Sequence, residues 1–218
     1  RMGTLFYRSW RSAQPAASFD RGENDDFEHK VAAISGFYGQ HTHQADDFSD
    51  LAKRHFSGLL AQGPKNAEGL RSILQAFFQV PVHVEEFIGS WLELEPNDRW
   101  QMGGMASLGR TTSIGSKVWT RSAKFRLRIG PLNYEEYQRL LPGNKSLERL
   151  KAIVRNYVGD SLDWDINLVL RAEDIPRIKL GEAMQLGQTT WIGDNKKTKD
   201  ADELYLEPNI QDYSVNIT

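Results

Sequence analysis

The sequence has no cysteine among its 218 residues. That excludes disulfides and thiolate metal sites, and it fits a reducing compartment. No run approaches the roughly 18 apolar residues that a bilayer span requires, so no direct membrane insertion is expected. Charge of one sign is not in excess: 27 basic residues against 29 acidic ones leave a net charge of −2. The chain as a whole therefore has no electrostatic bias toward nucleic acid or anionic lipid. GxxxxGK[ST] does not occur, so the usual lysine-bearing phosphate loop is missing. The first residues do not read as a signal peptide. Arg1-Met2 runs at once into LFYRSW, which reads as the middle of a helix, and a further N-terminal region is expected upstream. What is present is a globular composition, 39% hydrophobic, 26% charged and 11% aromatic. Its length can bury a core in one large domain or two small ones.

Periodicity supplies the element order. Residues 5–11 are aromatic and helix-compatible, and residues 25–37 read as a helix with an acidic start and Gly36 near its end. Residues 46–60 carry apolar positions on one helical face, closed by Gly63-Pro64. Leu70, Ile73, Leu74, Phe77 and Phe78 have the clearest helical spacing, and Pro81 stops that helix. Residues 82–95 read as one strand with an irregularity at Glu85-Glu86. After a long connection, residues 96–116, a second strand alternates Phe125, Leu127 and Ile129 with Lys124, Arg126 and Arg128. Gly130-Pro131 is expected to turn the chain. Short helices follow at 134–141 and 147–158, with Gly159 as a C-cap. Leu162, Trp164, Ile166, Leu168 and Leu170 alternate like a half-buried strand. A second long connection, 172–191, leads through a charged loop at 194–199 to a short strand at 204–206.

One motif recurs. Residues 108–115 read LGRTTSIG and residues 186–193 read LGQTTWIG. The apolar helix face at Leu70, Ile73, Leu74, Phe77 and Phe78 also has a counterpart at Leu150, Ile153, Val154, Tyr157 and Val158. A strand, a long connection and a last strand follow each helix. The pattern implies two copies of an α-β-loop-β unit, at 68–131 and 147–208, packing apolar faces together. The expected fold class is α+β: an N-terminal helical segment followed by two tandem, internally similar units. The corresponding division is 1–66, 67–131, 132–208 and a tail at 209–218.

The candidate chemical sites are weak. LGxTTxIG leads toward a strand rather than a helix N-terminus, which favours a turn over a phosphate cradle. His41 and His43, near Asp46-Asp47, form an isolated pair in a linker, while His29, His55 and His83 are scattered. Glu85 and Glu86 are neighbours on a strand and point apart, so they do not share a substrate. Lys124, Arg126 and Arg128 make a basic stripe, either solvated or facing an acidic partner. Lys196, Lys197 and Lys199 read as a solvated loop. Of the six tryptophans, Trp91 and Trp164 lie on strands and are expected in the core. Trp100 and Trp191 lie in or beside the long connections, where each either anchors a partner or pins its own loop.

The stretches KVWTRSAKFRLRIGPLNYEEYQRLLPG (117–143), LERLKAIVRNYVGDSLDWDINLVL (147–170) and LGQTTWIG, with RMGTLFYRSW at the start, resemble the TssG (ImpH/VasB) family of type VI secretion baseplate subunits. The resemblance runs from residue 1 to about 208. It implies a cytoplasmic, non-enzymatic scaffold at the inner face of the cell membrane, without cofactors or catalytic residues. Implied partners are two copies of TssF, TssE, TssK trimers and neighbouring baseplate wedges. Combined with the repeat, it suggests that the connections 96–116 and 173–193 each hold a TssK trimer. The contact residues would be Trp100, Met102, Met105 and Leu108 in the first, and Ile178, Leu180, Met184, Leu186 and Trp191 in the second. The helices of 1–62 would bundle with TssF. A second class of function is a small-ligand or phosphate-binding protein using the Gly-Thr loops. Stabilisation by nucleotides or divalent metals in a melt would mark it.

Overall fold

The computed structural model describes residues 2–13, 26–37, 46–96, 98–99, 115–176, 185, 187–191 and 199–208. It divides into two compact units: residues 1–65 with 148–157, and residues 66–147 with 158–218.

The first unit is helical. It contains α1 (Met2–Ala13), α2 (Asp26–Ile34), α3 (Asp50–His55) and α4 (Ser57–Leu60). The single helix expected over 46–60 is instead two short ones broken at Phe56. The first of them starts late, at Asp50, and the physical cause of that lies at Asp46. Its carboxylate accepts the backbone N–H of Phe48 and lies 2.8 Å from the buried Lys53 ammonium. The turn this creates drops the Phe48 ring into the core, fully buried, before the helix begins at the Ser49 cap. Lys53 also lies over the rings of Phe37 and Phe48, at 5.2 and 6.0 Å. These contacts let an ammonium group sit inside an apolar unit.

The second unit is built on a sheet. It opens with α5 (Ala67–Phe78), capped by Asn66, whose side chain accepts from Gly69 N–H at 2.7 Å. Strand β1 (Val82–Glu85) follows, then β2 (Ser90–Glu93), β3 (Lys117–Thr120) and β4 (Lys124–Leu132). Next come α6 (Tyr134–Arg139), α7 (Lys145–Val158, whose middle belongs to the first unit), β5 (Asp163–Leu170), a 3₁₀ turn at Ala172–Asp174 and β6 (Ala201–Leu206). The main sheet has the order β1-β4-β5-β6, with β4 and β5 parallel and both outer pairs antiparallel. Strands β2 and β3 form a separate two-stranded antiparallel ribbon.

Alternation in β4 places Phe125, Leu127 and Ile129 in register with Trp164, Ile166 and Leu168 of β5, and all six are buried. Phe125 and Trp164 stack with ring centroids 6.3 Å apart. Three expectations fail here. The strand expected over 82–95 is two strands in different sheets, because the chain leaves the main sheet at residues 86–89, where Phe87 has φ 59. Gly130-Pro131 does not turn the chain. Strand β4 runs on to Leu132 through a register shift and a cis Gly130-Pro131 bond. Strand β5 is not half-buried: every residue from Trp164 to Leu170 is buried. Its polar positions carry partners instead of facing water. Asp165 binds Arg126, and the Asn167 amide donates to the carbonyls of Asp202 and Leu204.

Each strand pair of the main sheet follows a helix, α5 before β1 and β4, and α7 before β5 and β6. Among the described residues, the excursion within the first pair contains the β2–β3 ribbon, and that within the second contains the 3₁₀ turn at Ala172–Asp174.

Candidate partner-binding surfaces

Four features of the two units present chemistry to a partner or bear on the expected sites. The first is the ribbon. Its register sets Trp91 opposite Trp119 and Leu92 opposite Val118. Successive residues point to opposite faces, so one face carries the tryptophan pair and the other the aliphatic pair. All four are exposed, Trp91 at 64% and Trp119 at 51%. The expectation that Trp91 lies in the core is therefore wrong: it sits on a ribbon outside the main sheet. The two indoles meet edge-to-face at 5.3 Å. Gly89 makes this possible, since a Cβ there would lie 2.1 Å from Trp119 Cζ2. Glu93 and Lys117 close the far end at 2.7 Å, and this contact holds the Glu93 carboxyl below its ordinary value. Leu94 N–H donates to the Ser116 carbonyl, so pairing continues toward the first long connection.

The second feature is the turn within LGQTTWIG. Thr189 and Gln188 N–H both donate to the Gln185 carbonyl, and Gly187 takes φ 79. The Thr189 hydroxyl oxygen accepts from Gln185 N–H at 2.9 Å, and that of Thr190 accepts from Gly187 N–H at 3.1 Å. The paired threonines thus build the turn by binding its own backbone. Tyr137 of α6 fastens it, donating its hydroxyl to the Gln188 carbonyl at 2.8 Å. Burial, with the charge of Glu203 adding to it, pushes the Tyr137 phenol well above its ordinary value. Trp191 is half-buried, its ring 6.0 Å from that of Tyr137.

Of the residues expected to contact a partner, Trp191 is thus placed on its own domain. Trp100, Met102, Met105, Leu108, Ile178, Leu180, Met184 and Leu186 lie outside the described residues, as do His41, His43 and Lys196-Lys197. In the first copy of the motif only Gly115 is described, with φ 105.

The third feature is the basic stripe, and its acidic counterpart is in the chain itself. Arg126 holds Asp165 with two hydrogen bonds, Nε to Oδ1 at 2.6 Å and Nη2 to Oδ2 at 3.0 Å. Lys124 reaches Asp165 Oδ2 at 3.0 Å and Glu207 at 3.4 Å, and Arg128 reaches Asp202 at 3.4 Å. Arg126 also lies over the Tyr205 ring at 4.5 Å. Burial opposes the charge on Asp165, but the hydrogen bonds from Arg126 and Lys124 prevail and hold its carboxyl below the ordinary range.

The fourth is α1. Met2, Leu5, Phe6 and Trp10 fall on one helical face and all are exposed. Among the described residues, no group of three or more His, Cys, Asp or Glu side chains is arranged to hold a metal, and no helix is long and apolar enough to cross a membrane.

A family model described as Type VI secretion, TssG matches residues 1–193. The chain belongs to the TssG family. The fold agrees with it. A chain from the type VI secretion system TssK-TssF-TssG baseplate subcomplex, solved by cryo-electron microscopy, superposes with a TM-score of 0.72 at 20% identity, covering 100% of this chain and 94% of that one. A chain of the baseplate complex from the type VI secretion system superposes with a TM-score of 0.60 at 20% identity, over 90% of this chain and 57% of that one. The present chain thus spans little more than half the length of the second. No curated protein sequence matches it. The residues that sequence reasoning missed are Trp119, Leu92, Val118 and Tyr137. The signal for the first three was present, since SWLE and KVWT each set two adjacent apolar residues between polar ones, one for each face of a strand, but nothing in the spacing pairs them across the intervening segment.

Proposed function

We propose that this chain is a non-enzymatic scaffold subunit of a type VI secretion baseplate wedge. The observation that carries the reading is the family match over residues 1–193. The fold shared with a chain of the TssK-TssF-TssG subcomplex, over nearly the full length of both, supports it. In this reading the chain joins two TssF copies and lies beside TssE within a wedge that meets neighbouring wedges at the inner face of the cytoplasmic membrane. The connections 96–116 and 173–193 each hold a TssK trimer, through Trp100, Met102, Met105 and Leu108 in one and Ile178, Leu180, Met184, Leu186 and Trp191 in the other. The organisation is a helical segment at 1–66 and two related α/β units at 67–131 and 132–208.

Two physical features support an adhesive role. An exposed indole pair on a two-stranded ribbon leaves apolar area in water that a partner would cover. A short helix with its apolar face exposed is marginal alone and gains stability by packing against other helices; α1 is the element we assign to TssF. Separate pull-downs of this chain with TssF and with TssK test the proposal. Retention of both supports it. A chain that retains neither, yet is stabilised by a nucleotide or divalent metal, would instead be a small-ligand protein.

A further inference from the structure

We propose that the outer edge of β6 is a strand-addition site and that its occupant is the chain's own tail, residues 212–218. β6 ends the main sheet: among the described residues, no strand pairs with it on the side away from β5. The Asn167 amide donates to the carbonyls of Asp202 and Leu204, so these two face β5. Backbone direction alternates along a strand, and the N–H and C=O groups of Glu203 and Tyr205 therefore point away from the sheet. Side chains at this edge are incompletely covered as well. Leu204 and Leu206 stand opposite Leu168 and Ile166 on the core face. The β5 residues are buried, whereas both leucines are only half-buried. Leu204 and the half-buried Trp191 also share the wall of a cavity of about 310 Å³. An edge with outward backbone groups and uncovered leucines is a template for one more strand.

The tail has the pattern that fits. Residues 212–218 read DYSVNIT, with Tyr213, Val215 and Ile217 alternating with Ser214, Asn216 and Thr218. Tyrosine, valine, isoleucine and threonine favour strands. These residues lie outside the described ones. β6 ends at Leu206, and Pro208-Asn209 supplies turn chemistry directly after it. Proline cannot take the positive φ of the favoured two-residue hairpin turns. A three-residue loop would put the apolar set on the face of Glu203 and Tyr205. A four-residue loop, 208–211, sets Tyr213 opposite Leu206 and Val215 opposite Leu204. Directly opposite residues share a face, so the apolar tail side chains cover the half-buried leucines. The backbone of Ser214 and Asn216 then meets the outward groups of Tyr205 and Glu203. The added strand removes an edge that could otherwise pair with other chains. The assignment does not depend on the TssF and TssK reading.

Amide hydrogen exchange of Glu203 and Tyr205, followed by NMR in the full chain, reads the pairing directly. Both amides should exchange more slowly than their unprotected rates by about tenfold or more. Val215→Asp with Ile217→Asp should return them to those rates while the β5 amides stay protected, which shows the sheet intact. The chain has no cysteine, so introduced pairs report the register. Leu204→Cys with Val215→Cys should oxidise to an intramolecular disulfide, because directly opposite residues lie at a separation a disulfide spans. Leu204→Cys with Ser214→Cys, on opposite faces, should not. Unprotected Glu203 and Tyr205 amides in the native chain would overturn the inference. So would protection that survives the double aspartate substitution, since another segment would then hold the edge, or protection that rises with protein concentration, since a second copy would. Equal oxidation of the two cysteine pairs, or of neither, would overturn it too. If the aspartate variant loses its β5 protection, the cysteine pairs decide alone.

Discussion

Replacing Asp165 with alanine removes one carboxylate and strands two cations. The side chain is 5% exposed, against 24% for Arg126 and 15% for Lys124. Breaking a fully buried pair by removing one partner costs about 3–5 kcal/mol. Both cations here reach some water. Lys124 also keeps Glu207, and Arg126 keeps the Tyr205 ring. These compensations lower the expected cost to about 2–4 kcal/mol. For a chain of this size a loss of 3 kcal/mol lowers Tm by about 6–12 °C. The companion variant Arg128→Ala breaks a more exposed contact at 3.4 Å and should cost less than about 1 kcal/mol. Thermal melting gives the size of each effect, and amide hydrogen exchange in β4 and β5 places it. The sign of the pH dependence follows from the depressed carboxyl. The folded-state value lies below the unfolded one, so the stabilisation is present above about pH 4 and is lost as pH falls through the folded value. The gap between the native chain and Asp165→Ala should therefore narrow on acidification below about pH 4. A gap under about 0.5 kcal/mol at neutral pH, or one no larger than that of Arg128→Ala, would refute the reasoning.

Three more predictions follow from the same geometry. Gly130→Ala should cost at least about 2 kcal/mol in a urea titration, because a Cβ there would lie 2.4 Å from the Val169 carbonyl oxygen at φ 135. Trp91→Ala with Trp119→Ala should lower stability by no more than about 1.5 kcal/mol, since both rings are largely in water, while pull-down retention of the partner that covers the ribbon, TssF or TssK, falls. Phe6→Asp with Trp10→Asp should leave the melt of the isolated chain within about 0.5 kcal/mol, and should abolish co-purification with TssF.

The sequence revealed the elements better than their partners. The helix face of α5, the alternation of β4 and the turn role of LGQTTWIG were all legible because each is local: a period, a parity, a glycine. The burial of β5 was not. Its alternation reads as one wet face, and only pairing with β4 and β6 shows that Asp165 and Asn167 are enclosed with partners far away in sequence. The ribbon failed for a similar reason. The break at residues 86–89 looks like a bulge until β4 is seen to pair with β1 and not with β2. Trp91 then moves from an assumed core position to an exposed one. The basic stripe read as either solvated or facing an acidic partner because its acids arrive from β5, β6 and the residue after it. Of the expected interface residues, only Trp191 falls among those described.

The proposal's central claim is that the two long connections each hold a separate TssK trimer. The direct measurement is the mass of wedges reconstituted from TssF, TssK and this chain, with 97–114 or 177–184 replaced by a short Gly-Ser linker in turn. Each replacement should remove one TssK trimer and leave TssF in place, so that both wedges are lighter by the same mass. Unchanged TssK stoichiometry in both would contradict the account.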